Sequence, residues 1–309
     1  MHGSLTIAVL TYRRNAYLVD LIPRLLAQAR MADEVGLRSR VLVIDNDPGG
    51  AALPVIEEIR EGGAGLDYVH EPVPGIVAGR NRALSESVED DLLVFIDDDE
   101  LPGERWITAL LKVWERTDAA AVTGPTPPRF DTAPDPWVRA SGAFDSWDAP
   151  DEAVVLSADT GNLLLDLTVV RRLGLAFDPR YGLTGGEDSL FTRQLTRGGG
   201  RIRFAADAVV VKRVPDSRAC RGWVLRRTCR AGSSWARVRV DTYEGMRPPL
   251  RLAYAVKGVG RAIVAGVRAL SAWARGDIAA RAAYEVSCVG GLGMVLGAFG
   301  MTPEEYGRG

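Results

Sequence analysis

The sequence has few cysteines and no long apolar run. These two absences argue against a disulfide-stabilised protein and against a membrane-spanning helix. Its three cysteines, Cys220, Cys229 and Cys288, are odd in number and form no Cys-x-x-Cys pair, which argues against a disulfide framework and for a reducing compartment. The N-terminus has no basic segment before its short apolar run, so we expect no secretory signal and a cytoplasmic location. The uncharged stretch 286–301 has 16 residues, whereas a spanning helix needs about 20 apolar ones. We therefore expect an interfacial, re-entrant or buried segment there rather than a membrane crossing.

Charge is small in total and uneven along the chain. The net charge is −2, yet residues 212–309 contain 17 Lys and Arg against 7 Asp and Glu, while residues 1–211 are net acidic. Such asymmetry indicates a basic surface that meets phosphate groups of a ligand, an anionic membrane or nucleic acid. The alternative is that the basic tail only neutralises the acidic part of its own chain.

Strand-like and helix-like patterns alternate through the first 125 residues. The predicted strands are 5–11, 40–45, 66–70, 91–97 and 119–125, and the predicted helices are 16–36, 51–63, 78–90 and 103–117. This alternation predicts an α/β fold with a mostly parallel sheet covered by helices on both faces. Ligands of such sheets bind beyond the carboxyl ends of the strands, where several polar clusters of this chain fall.

The rest of the chain is less regular. Residues 126–158 predict an irregular excursion, and residues 154–166 predict edge strands around a turn. A helix is expected at 185–199 and a last strand at 201–211. After Pro215 the composition shifts to Arg, Ala, Gly and Trp with helical periodicity. We therefore divide the chain into a domain of residues 1–215 and a basic, mostly helical region of residues 216–309.

The stretch "FIDDDELPGERW" places four acidic residues directly after a buried strand. Because burial of an unpaired carboxylate costs several kcal/mol, a cation is expected nearby. Asp-x-Asp at a strand end suits Mg²⁺ or Mn²⁺, with Asp97 and Asp99 sharing one target while Asp98 points elsewhere. The alternative is a solvated acidic loop before a helix.

Six segments resemble, in order and spacing, family 2 glycosyltransferases of the GT-A fold. They read "LTIAVLTYRRN", "VLVIDNDPGG", "PGIVAGRNRAL", "LLVFIDDDELPGERW", "TGNLLLD" and "FDPRYGLTGGEDSLFTRQL". The resemblance is greatest to bacterial exopolysaccharide glucosyltransferases of the succinoglycan type, and it covers residues 4–235. It implies an inverting, metal-dependent transfer of a sugar from a nucleotide-diphosphate donor, UDP-linked by preference, to a hydroxyl of a glycan or lipid-linked acceptor.

The resemblance also implies how the donor is held. It assigns base stacking to Tyr12, uracil hydrogen bonds to Asp45 or Asn46, the ribose to Asp97 or Asp98, and the diphosphate metal, Mg²⁺ or Mn²⁺, to Asp99 with Asp97. Arg80 and Asn81, at the start of a helix, are expected to meet phosphate or ribose.

The same comparison assigns the acceptor side. A sugar hydroxyl is a weak nucleophile and needs a positioned carboxylate to take its proton. In "GGEDSLF" this general base is Asp188, with Glu187 in reserve, and Gly186 lets the backbone approach the substrate. The acceptor-side turn corresponds to Thr160, Gly161 and Asn162, and Trp106 is expected to wall the sugar site.

One departure from the family concerns histidine. Many relatives carry a histidine after the last strand that can bind the metal, but this chain has only His2 and His70. Lys212 and Arg213 stand in the corresponding stretch, where cations would neutralise the leaving diphosphate. Additional arginines follow, of which we assign Arg227 and Arg230 to the donor; surface charge or contact with lipid is the alternative.

The tail predicts a membrane contact. Residues 250–285 have the pattern of an amphipathic helix on an anionic membrane, which places the protein peripherally on the inner face, without a nucleic-acid partner. A packed helical subdomain is the alternative. Two other functions are possible. One is a sugar-nucleotide pyrophosphorylase-like nucleotidyltransferase, but such enzymes have a glycine-rich phosphate loop after the first strand, and "LTYRRN" is not such a loop. The other is a catalytically dead nucleotide-sugar binding protein.

Overall fold

The computed structural model describes residues 3–60, 65–182 and 184–302. The strands of the described residues are, in chain order, β1 (Gly3–Thr11), β2 (Leu37–Asp45), β3 (Leu66–His70), β4 (Leu92–Asp97), β5 (Glu100–Pro102), β6 (Ala119–Thr123), β7 (Pro128–Phe130), β8 (Val154–Val155), β9 (Asn162–Asp166), β10 (Arg201–Phe204) and β11 (Val210–Val214). Their helices are α1 (Asn15–Glu34), α2 (Leu53–Arg60), α3 (Ile76–Glu86), α4 (Trp106–Arg116), α5 (Pro136–Ala140), α6 (Leu167–Arg172), α7 (Glu187–Arg197), α8 (Arg221–Asp241), α9 (Arg247–Ala274) and α10 (Ile278–Ala298), with a 3₁₀ turn at Pro179–Tyr181. The end of the predicted second helix, residues 61–63, lies outside the described residues.

Eight strands form the central sheet, in the order β3-β2-β1-β4-β9-β6-β10-β8. Six of these strands run in one direction, and β8 and β9 run against them. The α/β class with a mostly parallel sheet is therefore confirmed. The pairing sets Thr11 beside Asp45 and Leu10 beside Asp97, so the carboxyl ends of β1, β2 and β4 meet at one edge of the sheet.

Both faces of the sheet are buried, which explains why its strands are continuous apolar runs. Alternate residues of β1 serve the two faces. Leu5, Ile7 and Val9 pack with residues of α1 and α4, and Ala8 packs on the other side with residues of α3, α6 and α7. The two layers of helices hold the strand ends, and therefore the polar edge, in fixed positions.

Two predictions about strands are wrong. The segment 154–166 does not form only edge strands, because β9 lies antiparallel between β4 and β6 in the middle of the sheet. Its first four residues are all buried, as a central position requires. The predicted strand 201–211 is two strands, and β11 leaves the main sheet to pair with β5 and β7. That pairing places Lys212 opposite Glu100.

The chain after residue 220 forms three long helices. The predicted helix over residues 250–285 is interrupted after α9, and Asp277 begins α10 by accepting a hydrogen bond from the backbone of Ala280 (2.9 Å). Residues 286–298 belong to α10, which packs against both α8 and α9, so this stretch corresponds to the buried-helix alternative. No helix in the described part of the chain is long and apolar enough to cross a membrane.

Candidate active site

A cleft of about 980 Å³ opens at the polar edge of the sheet. The ends of β1 and β4 form its floor, the turn before β9 and the start of α7 form one wall, and one face of α8 covers it. The cleft is where the topology of a parallel sheet predicts a ligand site. It brings together side chains that are more than 200 residues apart in sequence, such as Tyr12 and Arg230.

Four consecutive acidic residues run from the last residue of β4 to the first residue of β5, and their burial increases along the chain. The side chain of Asp97 is 35% exposed, whereas that of Glu100 is 1% exposed. The cation that the sequence requires is supplied from β11, because Lys212 Nζ donates to Glu100 Oε1 at 2.8 Å and lies 3.7 Å from Asp97 Oδ2. Burial alone would lower the pKa of Lys212, but Glu100, Asp97 and Asp99 outweigh it and raise this pKa. Lys212 is therefore a permanent positive charge inside the cluster.

Two arginines neutralise the other acids. Arg218 Nη1 donates to Asp99 Oδ2 at 2.7 Å, and Arg14 Nη1 lies 2.6 Å from Asp98 Oδ1 and 3.3 Å from Asp99 Oδ2. Burial alone would raise the pKa of Asp99, but Lys212, Arg14 and Arg218 together hold it below its usual range. Asp99 is therefore ionised at neutral pH, as a metal ligand must be.

Asp98 has a different environment from its neighbours. Its carboxylate faces β1, where it accepts a hydrogen bond from the hydroxyl of Thr11 (3.0 Å) and another from Arg14. Burial raises the pKa of Asp98 to about 6, against the opposing effect of Arg14. Asp98 thus ties the end of β4 to the end of β1.

The cluster fits a hard divalent cation. Carboxylate oxygens of Asp97, Asp99 and Glu100 lie within 4.8 Å of one another, and oxygen ligands of this kind are what Mg²⁺ and Mn²⁺ prefer. Gly161 makes room for this arrangement, since a Cβ there would lie 2.5 Å from Glu100 Oε2. The structure thus places Glu100 beside Asp97 and Asp99 as a third carboxylate that could hold a metal. Glu100 differs from Asp99 in that burial raises its pKa to about 8, against the opposing effect of Lys212.

A second acidic pair lies across the cleft, at the N-terminus of α7. Glu187 is buried and forms an ion pair with the buried Arg80 of α3, whose Nη2 is also 4.0 Å from Asp97 Oδ1. Asp188 is partly buried, lines the cleft and accepts a hydrogen bond from the backbone of Ser189 (2.6 Å). Arg80 therefore joins the acidic cluster to the "GGED" turn.

The two carboxylates of α7 differ in what they can do. Burial raises the pKa of Asp188 to about 8, and the charges of Glu187 and Asp159 add to this effect. A carboxylate of raised pKa that faces a cleft is suited to accept a proton, whereas Glu187 is occupied by Arg80. Gly186, with φ of 90°, is needed before them because a Cβ there would lie 2.7 Å from the Cβ of Ser234 on α8.

Of the residues predicted to bind the nucleotide base, some line the cleft and others lie behind it. Tyr12 and Asn46 line the cleft. Asp45 is fully buried and accepts hydrogen bonds from the hydroxyl of Tyr68 and from the backbone of Asp47 and Ala52, so it shapes the turn after β2. The side chain of Asn46 is also buried. Its Nδ2 donates to the backbone oxygens of Glu71 (3.0 Å) and Val73 (2.6 Å), and its Oδ1 accepts from the backbone of Gly75 (3.0 Å). The expectation that Asp45 or Asn46 bonds a uracil ring is therefore corrected, because both side chains are engaged in shaping the turn after β2.

Three other predicted residues are placed behind the site. Asn81 exchanges two hydrogen bonds with the backbone of Phe177 and does not face the cleft. The expectation that Trp106 walls a sugar site is corrected, because its ring has no exposed surface and its Nε1 donates to Asn162 Oδ1 (2.8 Å). Asn162 is also buried and donates to the backbone of Ala208 (2.8 Å), so it supports the turn instead of contacting an acceptor.

The remaining predicted residues line the cleft. Thr160 and Gly161 contribute the turn before β9, and Arg227 and Arg230 project from α8. Arg227 lies 5.4 Å from the ring centre of Trp223 and donates to the backbone of Ala143 (3.2 Å). Cationic side chains thus cover the acidic floor of the cleft from the α8 side.

Sequence reasoning missed Arg14, Arg218 and the function of Glu100. The only signal for them is the acidic cluster itself, which requires balancing charge but does not say which cation supplies it. Arg14 is in the predicted polar cluster after β1, and Arg218 is in the stretch after the last strand. Only the fold brings these two arginines to Asp99.

Two solved structures of similar fold were determined with nucleotide sugars. The mannosyltransferase PcManGT from Pyrobaculum calidifontis, solved with GDP-Man and Mn²⁺, matches with a TM-score of 0.59 and 18% identity over 93% of this chain and 86% of that one. TarS residues 1–349 of S. aureus, solved with UDP-GlcNAc, matches with a TM-score of 0.54 and 16% identity over 92% of this chain and 91% of that one. Together with the mostly parallel sheet and the acidic cleft, these likenesses define a GT-A fold.

The sequence comparisons identify the family. The model of glycosyl transferase family 2 matches residues 6–155. The succinoglycan biosynthesis protein ExoM of Rhizobium meliloti (strain 1021) is 32% identical over 288 residues, which are 93% of this chain and 92% of that protein. The chain belongs to glycosyl transferase family 2 and is a glycosyltransferase. This assignment confirms the resemblance seen in the sequence and sets aside the nucleotidyltransferase alternative.

The ion pair between Arg80 and Glu187 yields a prediction about stability. Arg80→Ala leaves a carboxylate in a buried position without its guanidinium, so we expect the free energy of unfolding to fall by about 3–5 kcal/mol. Arg82→Ala, on the same helix, is the matched control, because Arg82 forms only a partly exposed pair with Glu86 (2.8 Å) and should cost less than about 1 kcal/mol. Urea denaturation measures both. Equal effects of the two changes would contradict the importance of the Arg80 pair.

Proposed function

We propose that this glycosyltransferase is inverting and metal-dependent, and that it moves a sugar from a UDP-sugar to a hydroxyl group of a glycan or lipid-linked acceptor. The observation that carries the proposal is the arrangement of one cleft, in which a triad of carboxylates faces a separate carboxylate, Asp188, of raised pKa. The first group suits a metal-bound diphosphate, and the second suits deprotonation of an acceptor. The name of the relative, a succinoglycan biosynthesis protein, supports a role in polysaccharide biosynthesis.

The proposed reaction is a single displacement. The acceptor oxygen attacks the anomeric carbon, its proton passes to Asp188, and the bond from that carbon to the diphosphate oxygen breaks with its electrons retained by the diphosphate. Because the nucleophile enters on the side opposite the leaving group, the configuration at the anomeric carbon is inverted. The pairing of Glu187 with Arg80 favours Asp188 as the base.

Asp97, Asp99 and Glu100 would hold Mg²⁺ or Mn²⁺, which, when bound, would neutralise the charge that develops on the diphosphate. The chain's own cations would act on the same charge. Lys212 and Arg218 lie at the cluster, and both carry positive charge that can be shared between the acids and a leaving phosphate. These two residues would take the place that a histidine occupies in other family members.

Asp99→Ala tests the metal and donor site. UDP should bind the protein more tightly with Mn²⁺ than with EDTA, and the Asp99→Ala protein should bind UDP equally weakly in both, because an essential ligand of the metal is gone. Isothermal titration calorimetry measures this, with Asp118→Ala as the control because Asp118 is an exposed acid paired with Arg201 and Arg203. Full-strength UDP binding in EDTA would refute metal dependence, and GDP binding tighter than UDP would refute the UDP preference.

Asp188→Asn tests the base. We expect transfer to fall by at least 100-fold while donor affinity changes little, because the amide cannot accept the acceptor's proton. In the unchanged enzyme kcat/KM should rise with pH, with a midpoint near 8, since Asp188 must lose its proton to act. Asp159→Asn removes a negative charge that raises the pKa of Asp188, so it should move this midpoint to lower pH.

Three measurements distinguish the proposed mechanism from its alternatives: UDP binding, the rate of sugar transfer and the configuration of the product. A protein that binds UDP but transfers no sugar to any acceptor would be an inactive binding protein. Substantial transfer by Asp188→Asn would move the role of base to another group, and retention of configuration in the product, read by NMR, would exclude a single displacement.

We also propose that the catalytic domain is residues 1–215 and that the basic region 216–309 attaches it to the cytoplasmic face of a membrane. The support lies in α9, which contains five Arg and Lys and no acidic residue. Six apolar side chains recur along one exposed side of the helix, namely Leu252, Val256, Val259, Ile263, Val267 and Leu270, each 46–68% exposed. The opposite side consists of small buried residues that face α10.

The charge of α9 indicates what kind of surface its exposed apolar side contacts. A helix without acidic residues is attracted to anionic lipid headgroups, each basic residue near the surface contributing about 1 kcal/mol, and its apolar side chains would enter the interface. Lys257, Arg261 and Arg268 lie away from the apolar side and contact α8 and α10, so they would face the headgroups while the apolar side enters the bilayer. An anionic bilayer is therefore the partner that suits both the charge and the apolar side.

Co-sedimentation of the full chain with vesicles tests the membrane contact. We expect binding to vesicles with phosphatidylglycerol, little binding to phosphatidylcholine alone, release by 1 M salt, and at least tenfold weaker binding of Ile263→Ser/Val267→Ser. The matched control is Val19→Ser/Val88→Ser, which changes two valines of similar exposure outside α9. No preference for anionic vesicles, or dimers in ultracentrifugation that the α9 variant abolishes, would refute the proposal.

A further inference from the structure

The cleft extends well beyond the acidic cluster. One face of α8 lines it from Arg227 to Arg239, a distance of about 18 Å along the helix axis. At the far end, Arg193 of α7 joins Arg239 in the lining. Asp188 and Arg193 are five residues apart on α7, which is about 7.5 Å of helical rise, so this end lies on the side of the proposed base.

The two ends of the cleft differ in charge balance. The cations near β4 face acids, as Arg218 does with Asp99. In the described part of the chain, neither Arg193 nor Arg239 forms an ion pair. Arg193 Nε donates to the hydroxyl of Thr242 (2.7 Å), and the guanidinium of Arg239 lies 3.7 Å from the ring centre of Trp235.

The carboxylates nearest in the chain are engaged by other residues. Asp241 accepts a hydrogen bond from Tyr181 (2.9 Å) and lies 3.8 Å from Arg237, and Glu244 is paired with Arg197. Burial lowers the pKa of Arg239, and the charge of Arg193 lowers it further. Arg193 is bonded to Thr242, the C-cap residue of α8, three residues after Arg239, and both arginines line the cleft. Their positive charges therefore oppose each other at this end of the cleft.

We propose that Arg193 and Arg239 form a subsite for a phosphate group carried by the acceptor, separate from the site of the donor diphosphate. This inference rests on the proposed function for its reference to an acceptor. A carboxylate is satisfied by one guanidinium, whereas two adjacent guanidinium groups match the higher charge and the three oxygens of a phosphate. An anion there would also remove the mutual repulsion of the two arginines.

The surroundings of Trp235 fit such an acceptor. Its ring contacts Tyr254 of α9 at 5.4 Å between centres, and Lys257 Nζ lies 5.7 Å from the ring centre. The Arg239 end of the cleft is therefore next to the helix that we propose to contact lipid. A phosphate that links a glycan to a lipid would lie at this junction, with the glycan extending toward Asp188.

Binding of inorganic pyrophosphate in EDTA, measured by calorimetry, tests the subsite without donor, metal or turnover. We expect Arg193→Gln/Arg239→Gln to weaken pyrophosphate binding at least tenfold. Arg226→Gln is the matched control, because Arg226 is an exposed arginine of α8 outside the cleft lining, and it should bind like the unchanged protein. Thermal melting verifies that the double variant and the control are both folded at the temperature of the titration.

Several results would overturn the subsite. The subsite would be refuted if the protein did not bind pyrophosphate, or if the double variant bound it as well as the unchanged protein. It would also be refuted if Arg218→Gln alone abolished binding, or if the two arginines bound glucuronate more tightly than pyrophosphate. A kinetic arm tests the acceptor: the double variant should raise KM at least tenfold for a phosphorylated acceptor and leave KM for the dephosphorylated acceptor unchanged. Equal changes for both acceptors would refute the assignment, whereas absence of all transfer alongside intact pyrophosphate binding would refute only the proposed catalytic function.

Discussion

Burial of the acidic residues after β4 is the constraint on which the site depends. Carboxylates at that depth are stable only with positive charge beside them. The structure supplies it from three places: Arg14 before α1, Lys212 on β11 and Arg218 before α8. In the small second sheet β11 pairs with β5, and this pairing places Lys212 opposite Glu100. The cluster is therefore both a ligand site and the junction that joins the sheet to the segment leading into α8.

The sequence alone was sufficient for the features that follow from local pattern. Continuous apolar runs predict the parallel strands, and their ends predict the polar edge that contains Asp97 and Asp99. Lys212 was also predicted, but only because a resemblance pointed to the stretch in which it lies. The need for positive charge beside "DDDE" was visible in the sequence. Which residues supply it was not, because Arg14 and Arg218 are 84 and 119 residues away from the aspartates that they contact.

The predictions that differ from the structure fail for a common reason. Trp106 and Asn162 belong to types that often contact sugars, yet each satisfies the other's polar group in the interior. The position of β9 also required tertiary information, since "NLLLD" has the same pattern in an edge strand and in a central one. Side-chain type gives candidates, but exposure decides among them, and exposure is a property of the fold.

The central place of β9 has a consequence for how the chain folds during synthesis. Strands β1 to β4 pair with one another in parallel and use contacts within the first 97 residues. The outer edge of β4, however, stays open until residues 162–166 have left the ribosome, because only β9 pairs with it and connects it to β6. An exposed strand edge can pair with other chains. The first half of the protein is therefore most prone to aggregation between the emergence of β4 and the emergence of β9 from the ribosome, an interval in which the acidic end of β4 also lacks Lys212.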